Sequence, residues 1–146
     1  MRWPARQKVR TLLCRLFKRR SRFVSAASKP WLAAAIVWTA AILVVNSISV
    51  SDPTWQPPFP GADKLTHAFM YAVASYSWRR GIVARRDSAT WKVVGGVALL
   101  GAWDEWHQRS VPGRSADVFD WVADVVGAWL GVALWHWLHA RESAQA

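Results

Sequence analysis

Three short stretches hold most of the residues able to do chemistry: "DKLTHAFMY" (63–71), "DEWHQ" (104–108) and "VPGRSADVFDWVAD" (111–124). An imidazole and a carboxylate within reach of one substrate can exchange protons with it, so His67 and Glu105 are the candidate general acid and base. Asp104 and Asp120 complete the candidate catalytic set, Asp120 as the group that orients the histidine. Lys64 and Arg114 are the cations available to clamp a phosphate or carboxylate. Asp63, Tyr71 and Gln108 complete the candidate substrate-binding set. Ser110 and Ser115 are nearby hydroxyls without a nucleophile elbow, and read as turn residues. His67, Asp104, Glu105, His107 and Asp120 could supply metal ligands. There is no H-E-x-x-H or C-x-x-C spacing, so no metal is assigned, and the sequence names no cofactor.

Helical spacing sharpens the grouping. Asp63, His67 and Tyr71 fall at i, i+4 and i+8 and share one helix face. Asp117, Asp120, Asp124, Gly127 and Gly131 share another, on which the acids lead into a Gly-x-x-x-Gly pair that allows close helix approach. Gly101 precedes Glu105 by one helical turn. Pro112-Gly113 reads as the centre of a turn that holds Arg114 over the mouth of a polar pocket. The competing reading of the cluster is an ion-pair network that only holds helices together.

The elements that must position these residues are set by hydropathy. Residues 31–51 carry no charge and are long enough to span ~30 Å of hydrocarbon. "SDPTWQPPFPGAD" follows as a proline-dense extended loop. Residues 65–78 make a second span if Asp63 and Lys64 begin its helix. Residues 93–103 make a third if the helix continues to Gln108. Residues 118–138 make a fourth. The expected fold is all-α, an integral membrane bundle of four transmembrane helices with a basic amphipathic N-terminal helix.

Charge orients the bundle. The formal net charge is +10, but 10 of the 19 Lys and Arg lie in residues 1–30, which contain no acid. Five more lie in the segment 79–92, read as a loop. By the positive-inside rule both places, and both termini, are cytoplasmic. The acids then gather at the outer face of the cytoplasmic (inner) membrane. Val9, Leu12, Leu13, Leu16 and Phe17 follow helical spacing among basic residues, as in a helix lying on anionic lipid. The segregation of charge argues against a nucleic-acid partner. Cys14 is the single cysteine, so no internal disulfide is expected. The expected organisation is a basic amphipathic cytoplasmic arm (1–30), a transmembrane domain (31–138) and a cytoplasmic tail (139–146).

In "DKLTHAFMYAVAS" (63–75) and "DEWHQRSVPGRSADVFDWVADVVGAWLG" (104–131) the chain resembles the VanZ-like family of small membrane proteins. The shared pattern is Asp-Lys-x-x-His-x-x-x-Tyr, then Asp-Glu-x-x-Gln, a Pro-Gly-Arg turn, and Asp-x-x-x-Asn/Asp-x-x-Gly. Asp63, Lys64, His67 and Tyr71, then Asp104, Glu105 and Gln108, then Pro112, Gly113 and Arg114, then Asp120, Asp124 and Gly127 match it in order. Asp124 stands where the family often has Asn. The resemblance implies an integral membrane protein, and the family's best-known member is linked to resistance to the glycopeptide teicoplanin.

Two readings of function follow. One is an enzyme acting on a lipid-linked or phosphorylated cell-envelope substrate at an outward-facing polar site. The other is a non-catalytic protein that binds or assembles an envelope lipid or glycopeptide. A small proton or solute pathway is a third, for which a homo-oligomer would be needed. Membrane lipids are the expected partners in every case.

Overall fold

A computed structural model describes residues 28–49, 59–82 and 87–144 of the chain. The described residues form four helices: α1 (Ser28–Asn46), α2 (Ala62–Gly81), α3 (Asp87–Gln108) and α4 (Val118–Ala144). The amphipathic N-terminal helix expected around Val9–Phe17 and most of the proline-dense loop lie outside the described residues. α2 does begin ahead of Asp63, and α3 does continue to Gln108. Among the described residues, two helices are long and apolar enough to cross a membrane, Ser28–Asn46 and Val118–Arg141. α2 and α3 are as long but more polar.

The bundle is apolar outside and polar inside. Val37 in α1, Phe69 in α2, Leu99 in α3 and Leu130 in α4 are all exposed, while Asn46, His67, Asp104, Glu105, Gln108, Asp120 and Asp124 are buried. A water-soluble bundle has the reverse arrangement. The buried apolar residues Ile42, Tyr71, Ala74, Val93, Val94, Val97, Ala128 and Val132 fill the middle.

α4 packs most extensively on α2, and glycine makes this possible. A Cβ on Gly127 would lie 2.2 Å from the carbonyl oxygen of Ala68, and one on Gly131 would lie 2.1 Å from that of Ala72. These are backbone atoms and cannot rotate away. The Ser75 hydroxyl donates to the Ala128 carbonyl across the same seam, at 2.8 Å. α1 is held to α2 by indoles: Trp38 Nε1 donates to the Met70 carbonyl at 2.9 Å, and Trp78 Nε1 to Thr39 Oγ1 at 3.1 Å. Trp121 Nε1 ties α4 to the Ala98 carbonyl of α3 at 3.0 Å.

The segment 79–92 is not the loop its charges suggested. α2 runs through Arg79 and Arg80 to Gly81, and α3 has begun by Asp87. Arg79 is buried, its guanidinium lying 3.6 Å from the centre of the Trp135 ring. That stacking explains how a cation can be enclosed there. α4 likewise reaches Ala144 and takes in residues 139–144 of the expected tail.

Chain direction alternates, so the C-terminal ends of α1 and α3 and the N-terminal ends of α2 and α4 meet at one end of the bundle. Substituting Gly127→Ala should cost about 1–3 kcal/mol through forced separation of α2 and α4. Gly95, around which a Cβ meets nothing within 4 Å, should accept alanine with a gain of up to ~1 kcal/mol from helix propensity. Thermal denaturation of the two variants in detergent checks both signs.

Candidate functional site

The turn between α3 and α4 is built by local chemistry. Arg114 N donates to the Val111 carbonyl at 3.1 Å, closing the turn around Pro112 and Gly113. Gly113 has φ +78°, the left-handed conformation that the third residue of a type II turn requires. Asp117 then caps α4: its Oδ1 accepts from Phe119 N at 2.9 Å.

The polar residues form two layers. The outer layer is centred on Lys64, whose ammonium donates to Asp63 Oδ2 at 3.0 Å, Asp117 Oδ2 at 2.8 Å and Asp120 Oδ1 at 2.9 Å. All three ammonium protons are therefore used. The Lys64 bond holds the Asp117 carboxyl below the ordinary carboxylate range. Asp117 thus does two jobs, one oxygen on the helix start and one on the lysine.

The inner layer is enclosed. His67 Nδ1 lies 2.9 Å from Asp124 Oδ1, and the imidazole stacks parallel to the Tyr71 ring at 6.4 Å between centres. Tyr71 donates its hydroxyl to Asp104 Oδ2 at 3.2 Å, and Asn46 Nδ2 donates to the same oxygen. Glu105 Oε2 accepts from the Asp117 backbone N–H at 2.8 Å. Asp124 fits against α3 because residue 101 is glycine: a Cβ there would lie 2.7 Å from Asp124 Oδ2.

Among the described residues, four buried side-chain atoms have no hydrogen-bond partner: Asp104 Oδ1, Glu105 Oε1, Gln108 Nε2 and Asp124 Oδ2. Nearly all buried polar atoms in folded proteins are paired, so four orphans in one cluster call for water, an ion or a functional role to account for them. Chemically, the site offers an imidazole, free carboxylate oxygens and an amide donor side by side.

The structure brings Asp63, Lys64, His67, Tyr71, Asp104, Glu105, Gln108 and Asp120 to this one end, as their spacing suggested. Arg114 is placed differently. Its guanidinium donates to the Val45 carbonyl at 3.1 Å and the Ile48 carbonyl at 3.4 Å, at the C-terminal end of α1. It pairs with backbone there and not with Asp117. His107 sits at the margin, stacked on Trp103 and 3.1 Å from Ser47 Oγ. Asn46 is the member that the sequence reading missed. Its signal was a lone amide inside the charge-free run 31–51, buried here to 1% exposure.

A family model, VanZ/LLP1, matches residues 38–139. The chain belongs to the VanZ/LLP1 family. The matched range takes in the whole polar cluster, from Asn46 to Asp124. No curated protein and no solved structure matches the chain.

The Lys64 bridge makes its own prediction. Replacing Lys64 with Met leaves Asp63, Asp117 and Asp120 facing one another without a cation, and stability should fall. Adding Asp120→Asn to Lys64→Met should recover part of the loss. A double-mutant cycle read by thermal denaturation should return a coupling on the order of 1 kcal/mol, because the lysine is partly open to solvent.

Proposed function

We propose that this VanZ/LLP1 protein is a four-span membrane protein, with both termini cytoplasmic, that acts on a lipid-linked or phosphorylated cell-envelope substrate at an outward-facing site. The observation that carries this reading is the set of buried, partnerless polar atoms within a bundle whose outside is apolar. A network serving only to pack helices would gain by satisfying or omitting those atoms.

The residues divide the work. Glu105, with one carboxylate oxygen engaged by backbone and the other without a partner, acts as proton acceptor. His67, positioned by Asp124, exchanges protons with the substrate. Asp104 is held by Asn46 and Tyr71 on one oxygen and keeps its other for the ligand, next to Gln108. Lys64, saturated by three carboxylates, holds the acids in place and does not contact an anion. That leaves Arg109, exposed on the turn, and the half-buried Arg114 beside it to attract a phosphate headgroup.

The domain division carries over in this reading: a basic arm on anionic lipid ahead of residue 31, the transmembrane unit over 31–138, and a short tail.

A second reading, a binding or assembly protein without turnover, draws on the saturation of Lys64, which favours a permanent scaffold. Comparison of envelope lipids by mass spectrometry, with and without the protein, separates the two. Turnover predicts a species that accumulates without the protein and is converted by the purified chain. Glu105→Gln should reduce that conversion by ~100-fold or more while the protein still folds and inserts. Saturable binding without product would move the reading to assembly. Teicoplanin susceptibility in cells with and without the chain tests the resistance link.

Orientation has a separate test. In a Cys14→Ser background, Ser110→Cys on the exposed turn should react with a membrane-impermeant thiol reagent in intact cells. Reaction only after lysis would overturn the outward-facing assignment. Ser110 is a better position than Gly113, whose positive φ a cysteine would strain.

A further inference from the structure

Charge in the two layers is unequal. Lys64 is already shared among Asp63, Asp117 and Asp120. The inner layer holds three more buried carboxylates, Asp104, Glu105 and Asp124, and His67 is the basic side chain paired into it. Burying that much negative charge without a counter-charge is unfavourable by several kcal/mol per ion. Within this layer, one potential ligand atom from each of His67, Glu105 and Asp124 comes within 4.8 Å of the others. All three residues are more than nine-tenths buried, and Glu105 Oε1 and Asp124 Oδ2 are among the partnerless atoms.

We infer that His67, Glu105 and Asp124 form a binding site for one divalent transition-metal cation of the zinc or manganese class. The donor set decides the class. Imidazole nitrogen with carboxylate oxygens suits zinc and manganese, whereas magnesium and calcium favour oxygen alone. Ligand atoms 4.8 Å apart or less need only small side-chain adjustments to reach metal bonds of about 2.0–2.2 Å.

The surroundings already have the form of an outer coordination shell. Glu105 is fixed through its second oxygen by the Asp117 N–H, and the His67 ring is fixed by its stack on Tyr71. The absence of a side chain at Gly101 gives Asp124 its room. Three protein ligands leave coordination positions open for water or for an oxygen of a bound ligand. His67, Glu105 and Asp124 come from three different helices and form no recognised short metal-binding spacing, which is why sequence alone assigned no metal.

With the cation bound, His67 and Glu105 serve as its ligands in place of free acid and base; the site does not depend on whether the protein is an enzyme, and its test reads binding alone. The full chain carrying Cys14→Ser, purified in detergent and stripped with chelator, is titrated with Zn2+ in competition with a chromophoric chelator. One equivalent should bind per chain and raise the thermal midpoint. Glu105→Gln should weaken binding by at least the ~10–100-fold that loss of an outer-shell partner costs a metal site. His139→Ala, near the other end of α4, should leave it unchanged. With Mn2+ as probe, pulsed EPR of the chain with its ligands unmutated should show coupling to a single imidazole nitrogen. Absence of stoichiometric binding, absence of nitrogen coupling, binding that survives Glu105→Gln, or binding lost in His139→Ala would each overturn the assignment. If Glu105→Gln does not fold, His67→Gln takes its place, and the EPR measurement stands without either.

Discussion

The ammonium of Lys64 is the point on which the polar end of this bundle depends. It sits one residue into α2 from Asp63, yet its other two partners come from the α3–α4 turn and from the first turn of α4. Without it, three carboxylates would repel one another across the seam where α2 and α4 pack closest. With it, Asp117 is held at one oxygen by the lysine and at the other by the start of α4. The Asp117 backbone N–H is thereby set where Glu105 can accept it. One cation thus fixes the beginning of α4 and, through it, a carboxylate of α3.

The second constraint is steric. Gly127 and Gly131 let α4 lie against the α2 backbone, and Gly101 gives Asp124 space against α3. Asp124 reaches His67 only because these approaches are so close. The same small residues that pack the helices therefore assemble the imidazole–carboxylate pair, and packing and chemistry cannot be varied independently. Enlarging any of the three glycines should disturb the site even though none carries a functional group.

Much of this was legible in the sequence because it followed from period and spacing. The i, i+4, i+8 row of Asp63, His67 and Tyr71 put them on one face, and the Pro-Gly pair fixed the turn. The helical pattern through Gln108 kept Glu105 and Gln108 on α3. What escaped depended on partners distant in sequence. Asn46 was absorbed into an apolar run, although an amide buried in such a run requires a partner, and Asp104 is that partner. Arg114 was read as an anion clamp over the pocket mouth, but its guanidinium reaches the carbonyls at the end of α1. Arg79 was counted as a topology signal, and only the fold shows it enclosed against Trp135. A charge pattern reports sign along the chain and is silent on which charges turn inward.

The two layers also constrain which chemistry the site can host. An anionic substrate approaching through the turn would meet six carboxylates, with the one lysine already committed. The nearby arginines, exposed Arg109 and Arg114 with its hold on the α1 carbonyls, lie on the turn and outside the enclosed layer. For a phosphate to reach Glu105 or His67, the inner layer must therefore first lose negative charge, by binding protons or by binding a cation. A divalent cation on His67, Glu105 and Asp124 accomplishes this at one position. It would satisfy oxygens that the fold leaves without partners and present a positive centre among three buried carboxylates. The network reading explains the outer layer well, since every proton of Lys64 is used there. It does not explain the inner one, where evolution of a purely structural core would have had simpler solutions than three buried carboxylates.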